Sequence, residues 1–402
     1  MVLNEMTIDE KITLVHGVVV HKPLNRRPRE QANYLWGGAG YIPGIPRLGI
    51  PDVQMTNGRS GVGQAGGLGR YATALPSALA LSASWDLELS REYGQLLGKE
   101  CRQLGFQVSL GGTANLIREA CNGRNFECLG EDPILIGKML AEQLKATQEQ
   151  GVVANINRYA VNNQETGRHS YNAVMDYRTM RETDLLAFEI AIKESGVGSV
   201  MGAYNRLNGI FCCEHDQLLN DILKKEWGYQ GWVMSDWGGT HSTVKAALAG
   251  LDQEMPGGKH FGERLRQAIE AGEVPESRLD DMVRRMLRTQ LALGVLDDRM
   301  PGDLPPACPV NPFTGAEVAQ RVAEQSIVLL KNADRQLPLD PSQVESIAVI
   351  GSHADVGVLS GWGSDQVDPA GGNEVPDELS KWRTNLGKVL QMVWHPSSPL
   401  EA

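Results

Sequence analysis

Residues 217–237 read QLLNDILKKEWGYQGWVMSDW, and this stretch holds one helix followed by one strand. Residues 217–227 carry leucine and isoleucine at helical spacing, and Gly228 supplies the residue type that commonly ends a helix. The short apolar run 232–235 then predicts a buried strand. Asp236 follows directly, so the sequence predicts a carboxylate at the C-terminal end of that strand.

The same alternation of helix and strand extends from about residue 70 to residue 295. The predicted helices cover residues 85–104, 134–150, 177–193, 217–227, 243–249 and 277–293. The predicted strands cover residues 106–110, 152–156, 198–201 and 232–235. In the last helix we expect Ser277 to be the N-cap and Gly294 to end the helix. Alternation over this length predicts a parallel sheet, either a closed barrel or a doubly wound fold.

Polar residues follow several of these strands. They are Thr56-Asn57-Gly58, Tyr204-Asn205 and Asp236-Trp237. In a barrel the C-terminal ends of the strands meet at one mouth, where active sites of such barrels lie. We therefore expect these three loops to face a common site.

Length and charge narrow the function classes. A chain of 402 residues is long enough for a barrel of ~250 residues and a smaller second unit. The net charge of -11 argues against partners such as nucleic acid or an anionic membrane surface, and favours a neutral or cationic substrate. No apolar run approaches the ~20 residues that span a bilayer.

Other features of the chain bear on compartment and metal binding. The first residues lack the basic and apolar pattern of a signal peptide, which indicates a cytoplasmic protein, or a periplasmic or secreted one if a leader is missing. The six cysteines include no CxxC pair, so neither a metal site nor a disulfide framework is expected. The sequence leaves a homo-oligomer open.

A proline-rich stretch follows the alternating region, and it predicts a domain boundary. We expect a barrel domain at 1–300, a linker at 301–315 and an incomplete α/β unit at 316–402. In the last unit a helix runs into a strand over residues 315–330, and residues 347–351 read as a second buried strand.

Each polar segment also has a structural interpretation. Asp236 beside Trp237 could attack a sugar's anomeric carbon next to a stacking indole, but on spacing alone a helix-capping aspartate is favoured. Arg124 could bind sugar hydroxyls or form an ion pair with Glu127 or Glu131. The amide-rich run 162–169 suits sugar hydroxyls, and it equally suits a solvated loop.

Five motifs in order change this balance. They are QMTNG at 54–58, GRNFECLGEDP at 123–133, AVNNQET at 160–166, VMGAYN at 200–205 and VMSDW at 233–237. The set resembles the family 3 glycoside hydrolases, notably bacterial β-glucosidases, from the first helix to about Gly372.

The resemblance implies a fold, an activity and a site. The fold is a TIM-like (β/α)8 barrel followed by an α/β sandwich domain that completes the active site. The activity is retaining, exo-acting hydrolysis of terminal β-D-glucosyl residues from a glucoside or short oligosaccharide, without a metal or organic cofactor. Asp236 matches the nucleophile and Trp237 the aromatic beside it. The positions that match the sugar subsite are Arg124, Arg168, Met201 and Tyr204.

Three departures from the family pattern predict impaired hydrolysis. Asn57 stands where the family has a carboxylate, and Asn157-Arg158 stands where it has a Lys-His pair. We still place all three residues at the sugar site. The family's general acid/base, a glutamate deep in the second domain, has no match before Ala402. The alternative is a degenerate, non-catalytic sugar-binding homologue. An unrelated metabolic barrel enzyme would not explain the motif set. Within the family a β-xylosidase stays open as an alternative, and an N-acetylglucosaminidase is less favoured because its characteristic Asp-x-His loop is not evident.

Overall fold

The computed structural model describes residues 2–19, 38–63, 71–297, 314–340, 342–343, 346, 350 and 363–367. The Gly-rich run 66–69, most of the predicted linker and the predicted strand at 347–351, apart from Ile350, lie outside the described residues. The division into domains at 300 and 315 therefore stays a prediction.

A curved six-stranded sheet forms the centre of the fold, in the order β1-β2-β3-β4-β6-β9. Its strands are β1 (Gly40–Ile42), β2 (Val53–Thr56), β3 (Val108–Thr113), β4 (Val153–Tyr159), β6 (Ser199–Gly202) and β9 (Trp232–Ser235). A second, three-stranded sheet consists of β5 (Asn172–Ala173), β7 (Arg206–Leu207) and β8 (Ile210–Phe211).

Isolated bridges close the central sheet into a ring. Met234 of β9 pairs in parallel with Gln253, and the next residue, Glu254, pairs in parallel with His16. Val18 then pairs antiparallel with Tyr41 of β1. The amide of Gly17 donates to the carbonyl of Glu254 at 2.9 Å. Eight extended segments of the described chain thus form a closed barrel, which confirms the predicted α/β barrel.

Helices cover the outside of this ring. They are α1 (Ile8–Leu14), α2 (Ala78–Ala83), α3 (Leu87–Gln103), α4 (Pro133–Gln148), α5 (Tyr177–Glu182), α6 (Asp184–Ser195), α7 (Val244–Ala249), α8 (Glu263–Glu270), α9 (Glu276–Ala292) and α10 (Ala316–Gln325). A π-helix spans Gln217–Glu226. No helix within the described ranges combines the length and apolarity needed to cross a bilayer.

The parallel strands are buried on both faces. Every residue of β2, β3, β4, β6 and β9 is buried. Helices cover one face and barrel side chains fill the other, so even the polar residues of these strands, such as Ser109, Asn155 and Asn157, are buried. The C-terminal ends of these five strands therefore point to the same mouth.

Three local features differ from the sequence predictions. β1 is antiparallel to β2, because the link of residues 43–52 is too short for a parallel crossover. The predicted helix at 177–193 divides at Thr183, where Arg118 binds both Thr183 and the buried carboxylate of Asp184. The predicted cap Ser277 is wrong: the N-cap is Pro275, and helix α9 begins at Glu276.

The chain after the barrel is largely exposed where the structure describes it. Helix α10 packs on the outer helices, and Val322 is buried there. The predicted continuation into a strand is wrong for the described residues up to 330, because Ile327 and Leu330 are exposed and unpaired by any sheet. Residues 363–367 return to the barrel, where Val367 pairs with Gly63.

Helices α3 and α4 approach closely because Gly94 has no side chain. A Cβ atom at this position would lie 2.2 Å from the carbonyl oxygen of Gln143 in α4. Gly94→Ala must therefore push the two helices apart. We expect it to lower the free energy of unfolding by about 1–3 kcal/mol, although alanine favours helix by up to ~1 kcal/mol.

Urea denaturation measures this effect. Lys99→Ala, an exposed position on the same helix, is the matched control and should change stability by less than about 0.5 kcal/mol. Equal stability of the Gly94→Ala and wild-type proteins would contradict the described helix contact.

Candidate active site

A cavity of about 900 Å³ lies at the mouth of the barrel. Its volume is at the upper end of the usual range for ligand pockets. Seven residues singled out from the sequence line it, namely Asn57, Arg124, Arg168, Met201, Tyr204, Asp236 and Trp237. They come from loops or strand ends that are far apart in sequence, and the parallel strands bring them together.

Asp236 sits at the C-terminal end of β9, with 8% of its surface exposed. Its amide donates to the carbonyl of Gly202 on β6 at 3.0 Å. Its Oδ1 accepts from the amide of Trp237 at 2.7 Å. The backbone therefore fixes the carboxylate at the cavity wall. Asp236 caps no helix, because α7 begins eight residues later, at Val244.

Tyr204 and Trp237 flank this carboxylate. The Tyr204 hydroxyl hydrogen bonds to Asp236, and burial followed by the charge of Asp236 raises the pKa of this phenol. It therefore stays protonated and can donate. The indole Nε1 of Trp237 donates to the carbonyl of Ala39 at 3.0 Å, which fixes the plane of the ring. The guanidinium carbon of Arg168 lies 4.4 Å from the centre of the Tyr204 ring.

Opposite charges concentrate on Glu127, which is buried in the cavity wall. Arg124 binds it through two nitrogens, Nε to Oε1 at 3.0 Å and Nη2 to Oε2 at 2.8 Å. The Nε of Arg59 lies 3.3 Å from Oε2, and Nη2 of Arg158 lies 3.5 Å from the same oxygen. Burial alone would raise the pKa of Glu127, but the three guanidinium groups outweigh it and lower that pKa. Glu127 is therefore ionised.

Glu165 is the second carboxylate of this network. It binds Arg158 at 2.7 Å and Arg168 at 2.5 Å, and Arg124 lies 3.5 Å away. Burial would lower the pKa of Arg124, yet Glu127 and Glu165 together raise it. The sequence left two interpretations of Arg124 open, and the structure fits both: Arg124 forms an ion pair with Glu127, and it also lines the cavity.

Asn157 and Arg158 were expected to contact the sugar, but neither lines the cavity. Asn157 is fully buried, and its amide nitrogen donates to the carbonyl of Leu110 at 2.8 Å. The Arg158 side chain is fully buried behind Glu127 and Glu165. Neither side chain is placed to contact a ligand in this cavity. Asn157 binds the barrel backbone, and Arg158 binds the two glutamates.

Several lining residues escaped the sequence interpretation, among them Arg59, Ser60 and Ser364. Arg59 and Ser60 follow Asn57 in the loop after β2. Their position just beyond a strand end could have identified them as residues of the barrel mouth. Ser364 had no such signal, because it lies about 130 residues beyond the last barrel strand. Its only mark is the small-residue context GWGS at 361–364.

The segment 363–367 completes the cavity from outside the barrel. Ser60 donates to Asp365 twice, from its amide to Oδ1 at 3.0 Å and from its hydroxyl to Oδ2 at 2.6 Å. The Ser364 hydroxyl accepts from Arg59 at 3.4 Å and from Arg124 at 3.3 Å. Burial raises the pKa of Asp365 to about 6, although Arg59 and Ser60 oppose the shift.

The described ranges contain no group of three or more His, Cys, Asp or Glu residues arranged to hold a metal ion.

Comparison with known proteins identifies the family. Residues 20–289 match the model of the glycosyl hydrolase family 3 N-terminal domain, and residues 327–391 match that of the family 3 C-terminal domain. The chain belongs to glycosyl hydrolase family 3.

Curated relatives include a β-glucosidase of Rhizobium radiobacter, which is 37% identical over 369 residues. A probable β-glucosidase I of Aspergillus terreus is 36% identical over 372 residues. Each match covers 91% of this family 3 chain, but only 42% and 41% of the respective relative. The chain therefore spans about two fifths of the length of these relatives.

Solved family 3 structures share the fold. DesR, a β-glucosidase from Streptomyces venezuelae in complex with D-glucose, has a TM-score of 0.79 and 37% identity, covering 92% of this chain and 46% of DesR. β-Glucosidase 3B from Thermotoga neapolitana in complex with glucose has a TM-score of 0.82 and 30% identity, covering 100% and 58%.

The attachment of segment 363–367 should depend on pH. Because the pKa of Asp365 is raised from 3.8 to about 6, the docked state binds a proton more tightly than the undocked state. The contribution of Asp365 to docking is then fully present below about pH 4 and is lost as the pH rises through 6. We expect protection of the Ser60 amide from hydrogen exchange, corrected for the intrinsic rate, to fall about a hundredfold over this window.

Asp365→Asn is the variant that isolates this effect, because its amide is neutral at every pH. Its oxygen can accept from the Ser60 amide, and its nitrogen can donate to the Ser60 hydroxyl. Its Ser60 protection should stay constant between pH 4 and 6. A wild-type protection profile that matches the flat profile of the variant would contradict the assignment to Asp365.

Proposed function

We propose that this protein is a retaining β-glycosidase of the β-glucosidase type, which binds a terminal β-D-glucosyl residue and uses Asp236 as its nucleophile. The observation that carries the proposal is the position of Asp236. Its carboxylate stands at the mouth-side end of β9, in a cavity wall that also holds Tyr204, Trp237 and Arg124. The relatives named β-glucosidases, two of them solved with glucose, support the choice of sugar.

The first chemical step follows from this position. A carboxylate oxygen of Asp236 attacks C1 of the sugar and forms an ester bond, while the bond between C1 and the glycosidic oxygen breaks. The electron pair of that bond leaves with the aglycone oxygen. Water then attacks C1 from the face opposite Asp236, and the bond between C1 and the Asp236 oxygen breaks with its electron pair returning to the carboxylate. The water loses one proton, which balances the aglycone oxyanion, and the sugar is released with retained configuration.

The aglycone oxygen needs a proton, and the cavity wall supplies no evident donor of one. Glu127 is the other carboxylate among the described lining residues, and three arginines keep it ionised. Both carboxylate oxygens of Asp365 accept hydrogen bonds from Ser60. General acid catalysis contributes roughly 10²–10⁴-fold, so we propose that hydrolysis of ordinary glucosides by this chain is impaired.

The leaving group should therefore decide the rate. We expect nitrophenyl β-D-glucoside, whose phenolate leaves without a proton, to be cleaved at least about a hundredfold faster than cellobiose. Steady-state kcat/KM for the two substrates measures the ratio, with a family 3 β-glucosidase of full length as the reference. Similar rates for both substrates would show that the chain possesses a general acid.

Trapping tests the nucleophile itself. A 2-fluoro-glucoside with a good leaving group should add one 2-fluoroglucosyl mass to the protein, on the peptide that carries Asp236. Asp236→Asn should abolish the adduct and lower turnover of the nitrophenyl glucoside at least about a thousandfold, because the amide cannot form the ester.

The same experiment separates the second candidate, a non-catalytic sugar-binding protein. The absence of a geometric proton donor and the neutral Asn57 favour that candidate. It requires glucose binding, measured by calorimetry, with no adduct on Asp236. The proposal of catalysis fails if the wild-type protein binds glucose and never forms the adduct.

A further inference from the structure

The charged groups among the described lining residues are unequal in number. Three of these residues carry a guanidinium group, namely Arg59, Arg124 and Arg168, and two carry a carboxylate, namely Glu127 and Asp236. Asn57, between them in the wall, is neutral. A neutral sugar offers hydroxyl groups to this wall but no charge.

The carboxylates in and behind the wall are already engaged. Glu127 forms ion pairs with Arg59, Arg124 and the buried Arg158. Glu165 forms ion pairs with Arg158, Arg168 and Arg124. Four arginines therefore share two glutamates. Asp236 hydrogen bonds to Tyr204, and its charge is the weakest of those that raise the pKa of Arg124.

Arg59 and Arg124 converge on one neutral atom. Both donate to the Ser364 hydroxyl, at 3.4 and 3.3 Å, whereas a guanidinium bound to an oxyanion lies about 2.7–2.9 Å from it. These two contacts are long and the acceptor carries no charge. The Nε of Arg59 lies 3.3 Å from Oε2 of Glu127, and it shares this one oxygen with Arg124 and Arg158.

Asp365 is the remaining carboxylate near Arg59, and it compensates this charge weakly. It does not line the cavity, and both of its oxygens accept from Ser60. An anionic group entering the cavity beside Ser364 would instead meet two guanidinium groups directly.

We infer that the cavity accepts a sugar that carries an anionic group, a carboxylate or a sulfate ester, bound beside Ser364 by the guanidinium groups of Arg59 and Arg124. This inference rests on the proposed function and narrows its substrate class from glucosides to acidic sugars of glucose configuration. The chain's overall charge of -11 does not oppose it, because the charges that face the ligand are those of the wall.

Calorimetry with three ligands on the intact chain tests the inference. The probes are methyl β-D-glucoside, methyl β-D-glucuronide and the 6-sulfate of methyl β-D-glucoside. We expect at least one anionic ligand to bind about tenfold more tightly than the neutral glucoside, and added salt to weaken only the anionic ligands. Preference between glucuronide and sulfate distinguishes the two sources of charge.

Two variants with opposite effects sharpen the test. Arg59→Met keeps the apolar stem and removes the charge, and it should bring the anionic preference close to one. Asn57→Asp adds a carboxylate to the wall, and it should weaken the anionic ligand while strengthening the neutral glucoside, each by up to about tenfold.

Controls separate charge from folding. Arg59→Lys keeps the charge and should retain a preference for the anionic ligand. Arg178→Met removes an arginine whose side chain is 83% exposed on the outer surface, and it should leave all three affinities unchanged. Circular dichroism establishes that each variant is folded.

Two outcomes would contradict the proposals, and they can be told apart. Equal or tighter binding of the neutral glucoside in the wild-type protein overturns the inference and leaves the proposed function standing. Failure of all three ligands to bind overturns the proposed function as well.

Discussion

The attachment of four arginines to two buried glutamates is the interaction on which the site depends. Like charges at roughly 7 Å repel by about 2 kcal/mol per pair at an effective dielectric constant near 20. Arg59, Arg124, Arg158 and Arg168 could not share one wall without Glu127 and Glu165 between them. The two carboxylates also fix the orientation of the guanidinium groups, since Arg124 meets Glu127 through two nitrogens.

The barrel makes this network possible by bringing distant segments to one mouth. Glu127 follows β3, Glu165 follows β4, and Arg59 follows β2. Each strand is short and fully buried, so its end is a fixed point in space rather than a flexible tether. The segment with Ser364 and Asp365 joins this mouth through side chains and one bridge to Gly63, not through a strand of the barrel.

The sequence predicted the parts of the fold that follow from local patterns. The strand at residues 232–235 and the carboxylate after it are placed as expected, because a short apolar run and its polar end are local signals. The antiparallel β1 was not predicted, since strand direction depends on the length of a connection rather than on composition. For the site, strand-end position identified Asn57, Tyr204 and Asp236, which all line the cavity.

What the sequence could not predict depends on contacts between distant residues. Arg158 lies near the C-terminal end of β4 and was therefore expected at the sugar site, but its guanidinium binds Glu127 and Glu165 instead. Ser364 enters the cavity through a segment with no periodic signal. In both cases the partner decides the role, and no pattern within one segment specifies a partner over 30 residues away.

The net charge describes the surface of the protein and not the field inside the cavity. A charge of -11 is spread over a large solvated area and is screened within about 8–10 Å at ordinary salt. The expectation from overall charge therefore applies to encounters with large partners such as nucleic acid. A ligand inside the cavity meets the groups of the wall itself, and for the acidic sugar that we propose these are Arg59, Asn57 and the oxygen of Ser364 between two arginines.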